Sequence, residues 1–260
     1  MPNKPNSTTA ARQTRKVTAL VLFVSLLTSV LPGRVHAASG SLDSTFGTGG
    51  KIVTDFGGGY DFARAVVVQS DSRIIAAGSS GWGDFGLIRY NGDGTLDSDF
   101  GSRGKVSTDF GGTDTANALA IQSDGKIVVA GQVETEEAVD TEVDFGLVRY
   151  SADGKLDPSF GVGGKVTTDF GGPDEADVTD DMASDMAIQP DGRIVVAGTT
   201  FAKTGNDFAI ARYNSDGGLD STFGIGGKVI TDLFGHREEA FAAALQPDHG
   251  GGPPCLCTES

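Results

Sequence analysis

Cysteine is almost absent from this chain of 260 residues: there are two, Cys255 and Cys257, both among the last six. A disulfide framework for the body is excluded, so burial and strand pairing must hold it. Histidine is nearly as scarce, and only His236 and His249 lie beyond residue 37. Neither sits in a repeated or metal-spaced context, and no G-x-S-x-G elbow occurs, so no catalytic constellation is visible. Tryptophan occurs once, as Trp82, in a loop where it could stack on a carbohydrate or pack over a sheet edge. After residue 40 no segment keeps a helical period, which leaves strands as the building material.

The one long apolar run lies near the start. Val17 to Leu31 spans 15 residues, broken by Thr18, Ser25, Thr28 and Ser29. Lys4, Arg12, Arg15 and Lys16 precede it, and Val35-His36-Ala37 offers small residues at −3 and −1 of a cut. Residues 1–37 read as a secretory signal peptide. The run is short against the roughly 20 residues of a membrane span, although an uncleaved anchor is the alternative. The expected location is secreted: extracellular, periplasmic or at the cell surface. No membrane span is expected after cleavage.

That segment holds five basic residues and no acids, so its removal leaves 15 basic against 35 acidic residues, a net charge of −20. Such a surface repels nucleic acid and anionic membranes, and favours cations and basic partners.

What is present is repetition. The segment L-D-x-x-F-G-x-x-G-K occurs four times, as Leu42 to Lys51, Leu96 to Lys105, Leu156 to Lys165 and Leu219 to Lys228, at intervals of 54, 60 and 63 residues. Repetition at this period implies a modular array. Within one repeat, Lys105 to Phe110 alternates as a half-buried first strand, and Ala116 to Gln122 follows as a second with no polar face. Ser123-Asp124-Gly125-Lys126 is a tight turn, Ile127 to Ala130 a third, β-branched strand, and Asp144 to Tyr150 a fourth. Four short antiparallel strands per repeat predict the blade of a β-propeller. L-D-x-x-F-G is expected to end one blade and start the next, with Phe46, Phe100, Phe160 and Phe223 plugging the seams.

These strings resemble the delta-60 repeat family of bacterial secreted proteins, whose units look like L-D-x-x-F-G-x-x-G-K-V, A-x-A-I-Q-P-D-G-K-I-V-V-A-G and D-F-A-L-A-R-Y-N-x-D-G-x-L-D. The resemblance runs from about Ser41 to Asp248. It implies a β-propeller-like fold and no defined activity, because the family is named for its repeat. The expected fold class is all-β: a propeller-like array over residues 38–248, with blades starting near 42, 96, 156 and 219. Three are complete and the fourth is truncated, so the ring is open or incomplete.

Repeat length varies in two acidic loops. One carries Glu134, Glu136, Glu137, Asp140 and Glu142; the other carries Asp174, Glu175, Asp177, Asp180 and Asp181. Both are expected at one end of the blades, and inserted loops on one face often mark a binding face. The alternative is solvated, drifting loops. Asn91 to Asp97 places side-chain oxygens at alternate positions, repeated at Ser151 to Asp157 and Asn214 to Asp220. Ordinary turn chemistry explains them; calcium is the alternative, without the glutamate of an EF-hand. Gly47 to Lys51 resembles a phosphate loop only superficially, since Ile52 stands where Ser or Thr is needed. No cofactor is expected.

After Pro247-Asp248 the repeat predicts an I-V-V-A-G strand, but residues 249–260 read H-G-G-G-P-P-C-L-C-T-E-S. A frame shift near residue 249, truncating a longer repeat protein, is the favoured explanation; Cys255-x-Cys257 as a thiol or metal site is the other. The segment is expected to be a disordered tail. Unfinished blades leave an open edge through which the chain can self-associate. The functional expectation is a secreted, non-enzymatic scaffold or binding module with an unknown extracellular ligand or protein partner. The alternatives are a propeller hydrolase or lyase with a channel site, and a non-functional gene fragment.

Overall fold

The computed structural model describes residues 40–81, 83–136, 141–171, 180–202, 205–233, 235, 237–246 and 256–259. They are all-β, with no helix. Three four-stranded antiparallel sheets follow one another. The first holds β1 (Phe62–Val68), β2 (Ile74–Ser80), β3 (Asp84–Tyr90) and β4 (Lys105–Thr108) in chain order. The second holds β5 (Thr115–Ile121), β6 (Ile127–Glu136), β7 (Thr141–Tyr150) and β8 (Lys165–Thr168). The third holds β9 (Asp180–Ile188), β10 (Ile194–Ala202), β11 (Gly205–Tyr213) and β12 (Lys228–Thr231). β13 (Ala242–Leu245) begins a further unit and pairs with β14 (Leu256–Glu259).

The sheets run one strand out of phase with the sequence repeat. The strand after L-D-x-x-F-G-x-x-G does not open a new blade; it closes the current one, as Lys105–Thr108 does beside β3. The cause is local. Arg89 Nε donates to Asp97 Oδ2 at 2.7 Å, and the Asp97 amide donates to Arg89 O at 3.0 Å, folding the loop back on β3. The chain re-enters beside the strand it left. Blades therefore start at 62, 115 and 180, and not near 42, 96 and 156, and the half unit takes β13 and not residue 219 as its first strand.

The second sheet buries both faces by stacking on its neighbours. In β6, Ile127 and Val129 join a core with Ile75, Ala77, Phe85 and Leu87 of the first sheet. Val128 and Ala130, one residue out of step, join a second core with Ile194, Val196, Ala209 and Ala211 of the third. A two-residue period with apolar side chains in both phases thus gives a strand covered twice. Each buried aliphatic side chain contributes about 1.5–3 kcal/mol. A bulge at Ala116–Ala118 brings the Thr115 carbonyl against Gly131, where any Cβ would collide with it.

The seams carry repeated links. Phe100 and Phe160 are fully buried, as expected of plugs, with Arg89 and Arg149 guanidiniums 4.4 and 4.6 Å above their rings. Tyr150 Oη donates to Thr108 Oγ1 at 2.7 Å and Tyr213 Oη to Thr168 Oγ1 at 2.8 Å, each joining one sheet to the last strand of the sheet before. Lys165 and Lys228 reach back to the Asp109 and Asp169 carbonyls.

The tail expectation needs correction at residues 256–259, which form β14 because the open edge of β13 offers an unused row of backbone groups. Residues 249–255 and 260 lie outside the described residues, as does the signal-peptide segment 1–37.

Candidate functional site

The β2–β3 turn, the β6–β7 connection and the links between sheets gather at one end of the blades. Asp114, in the link between β4 and β5, donates its amide to Gly83 O in the β2–β3 turn. Thr113 of the same link donates to Glu134 Oε2 at 2.8 Å, near the end of β6. Among the described residues, the flanks of the two acidic insertions, Glu134 to Glu136 and Asp180 to Asp181, fall at equivalent strand ends of neighbouring sheets. In the observed strand phase the loops are the second-to-third connection and the link between sheets.

Of the residues expected on this face, Glu134 is half-buried and Asp180 is exposed at the start of β9. Glu136 ends β6. Glu137, Asp174, Glu175 and Asp177 lie outside the described residues. Asp181 departs from expectation: it has no exposed surface. β9 begins early enough to pair Asp181 with Thr200, which turns its carboxylate into the seam.

There Asp181 meets acids that the sequence reading passed over. Asp144 within β7, Asp169 after β8 and Asp181 each place a carboxylate oxygen within 4.8 Å of the other two. Asp144 is 6% exposed, while Asp169 faces solvent. Burial pushes Asp181 up to about 7; the Thr200 hydroxyl and Phe170 amide pull it down, and Asp169 and Asp144 push it further up. The next seam repeats the arrangement with Asp207, Asp232 and Glu238 under the same distance limit. Asp207 is raised by burial and by those two neighbours. The first seam has Asp84, Asp109 and Asp114 at the equivalent places, with Asp114 lifted to about 6, chiefly by burial. The signal was in the sequence: a D-F pair recurs at Asp84, Asp144 and Asp207, and a T-D pair at Asp55, Asp109, Asp169 and Asp232.

The opposite end holds the D-G turns and a cleft of about 760 Å³ between the second and third sheets, bordered by Gln122, Lys126, Arg149, Ser159, Gln189 and Asp216. Its cations are committed to ion pairs. Asp157 Oδ2 lies 2.9 Å from Arg149 Nε and 3.3 Å from Lys126 Nζ. Ser159's hydroxyl, with its amide and these cations, holds Asp157 well below the usual carboxylate range despite burial. The same ion pairs occupy Asp97 and Asp220. Asp93 accepts from the Thr95 amide and hydroxyl, at 2.9 and 2.7 Å. The alternate oxygens of these turns thus serve protein donors, which is turn chemistry. Gly47 to Lys51 likewise spends its amides internally, Gly47 N on Asp93 O at 2.9 Å and Thr48 N on Lys51 O at 2.9 Å. Trp82, His236, His249 and Cys255 lie outside the described residues, and Cys257 sits in β14.

A family model for a domain of unknown function (DUF5122) beta-propeller matches residues 69–100, 122–160 and 189–223. Each matched segment runs from the glutamine before the D-G or D-S turn to the seam phenylalanine, and so covers the second and third strands of one sheet. No curated protein matches the chain.

Proposed function

We propose that this β-propeller-type chain is a secreted, non-enzymatic scaffold that binds a basic protein or peptide outside the cell. The observation that carries the reading is the gathering of acidic insertions and repeated carboxylates at one end, while the cations at the other end are tied into ion pairs. A field of one sign on a rigid face raises encounter rates with partners of opposite charge and weakens as salt rises. The leader-like residues 1–37 support the extracellular location.

The test is binding of polylysine to immobilised protein, with polyglutamate as control. Replacing Glu134, Glu136, Glu137, Asp174, Glu175, Asp177 and Asp180 by their amides is expected to weaken polylysine binding at least tenfold. Unchanged binding in that variant defeats the reading. A charge-neutral ligand that competes fully would move the site off this face.

A second reading, self-association, is favoured by the uncovered face of the first sheet. Phe62, Val66 and Val68 are more than half exposed there. A second copy offering its own terminal unit is the occupant that matches, because that face is built to receive a preceding blade. Light scattering at increasing concentration tests it; a constant monomer mass rules it out.

A further inference from the structure

We propose that the Asp144–Asp169–Asp181 cluster binds one hard divalent cation of calcium's size. Clustered acids alone do not make a site, and here a separate observation points to a ligand. Asp181 is fully buried, and its Oδ2 takes the Phe170 amide at 2.6 Å, but its Oδ1 has no hydrogen-bond partner. The Asp207–Asp232–Glu238 cluster has no fully buried member, so no ion is assigned there. An unmatched buried carboxylate oxygen is costly, and more so beside other carboxylates. A cation among Asp144, Asp169 and Asp181 supplies both the missing partner and the missing charge.

The donor set selects the ion. It contains only carboxylate oxygens, which suits hard cations and not zinc or copper. Each of the three carboxylates offers one oxygen, water can complete the six to eight ligands that calcium takes, and calcium tolerates irregular geometry where magnesium does not. Asp169 is exposed, so the cluster opens to solvent on one side, which gives an entry path and room for those waters. Among the described residues no lysine or arginine is ion-paired with Asp169, Asp181, Asp207, Asp232 or Glu238. Lys228 donates to the main-chain oxygen of Asp169, at 2.8 Å, and not to its carboxylate.

The first seam shows what a filled version looks like. Asp114 Oδ2 accepts from Phe110 N at 2.7 Å and Oδ1 from Glu134 N at 3.2 Å. Asp84 Oδ2 accepts from Ser107 Oγ at 2.7 Å. Protein donors occupy those oxygens, so no ion is assigned there. In the second seam β9 starts two positions earlier relative to the repeat, and the ladder pairs Asp180 with Phe201, the counterpart of Glu134. No amide then comes to Asp181 Oδ1.

The inference shares a face with the function proposed above, whose test alters only the loop acids and none of the cluster carboxylates. The test uses the full chain stripped with chelator and titrated with calcium chloride by calorimetry, beside thermal melting. One calcium ion per chain is expected, with magnesium at least tenfold weaker and a melting temperature that rises with calcium. The Asp169→Asn variant, altered at an exposed position, should lose the site. Asp109→Asn should keep it. Asp181→Asn gives an independent check, since it should melt higher in chelator and bind no calcium. No heat and no melting shift, or one ion retained in Asp169→Asn, overturns the proposal in favour of carboxylates that share protons. The loop-neutralised variant retains Asp144, Asp169 and Asp181, so it should lose polylysine and keep calcium, which separates the two failures.

Discussion

Phe160 and Phe46 occupy the same place in their repeats, yet one is sealed and the other is half open. The same holds for the arginines. Arg149 has a 5% exposed side chain and crosses its seam to the Ser215 carbonyl, whereas Arg212, with no complete sheet beyond it, is 19% exposed. The sequence of a seam is thus constant while its burial depends on a neighbour being present. Stability in such an array resides in the interfaces between repeats as much as in the repeats themselves.

The largest effect expected from this contrast is on truncation of the plugs. Phe160→Ala should cost about 3–5 kcal/mol in urea unfolding, as for other fully buried phenylalanines, and Phe46→Ala about 1 kcal/mol. Equal losses would mean that the outer half-seam is closed in solution. Next comes the pH response of the inner seam at Asp114. Its folded carboxyl holds a proton to about 6, whereas the unfolded one releases it near 3.8. The native state binds more protons in that window, so its stability falls as pH rises from about 4 to 6. Asp114→Asn should flatten that slope, read from denaturation midpoints; an unchanged slope would place its source elsewhere.

A smaller effect comes from turn chemistry. Gly125 and Gly192 hold the left-handed position of their D-G turns at φ of 85°, whereas the first sheet has Ser72 there at 68°. Ser72→Gly should stabilise by about 0.5–1 kcal/mol, because L side chains are strained in that region. A loss of stability would show that the serine side chain supports the turn. The smallest effect on stability is expected at the open face. Val66→Thr with Val68→Thr should change unfolding by less than about 0.5 kcal/mol while reducing self-association. Strong destabilisation would show that another part of the chain covers these valines.

The strands and their number were legible because the I-V-V-A and D-F-G-L strings have a strand period and Asp-Gly punctuation. The phase of the sheets was not. Lys105 to Thr108 alternates identically whether it pairs backwards with β3 or forwards with β5, and only the Arg89–Asp97 pair and the loop folded by it decide. The acidic end was visible in Glu134 and Asp180. Asp181 was not separable from its exposed neighbours, because its burial depends on where β9 starts. Asp144 and Asp169 were hidden differently: each looks like an ordinary strand-end acid until the stacking of sheets brings them together.

Because every sheet borrows its last strand from the following repeat, no repeat is a self-contained part. A gene duplication or loss that adds or removes one whole repeat, wherever within it the breakpoint falls, leaves each remaining sheet with four strands. Array length can therefore drift by recombination without any new interface having to be invented.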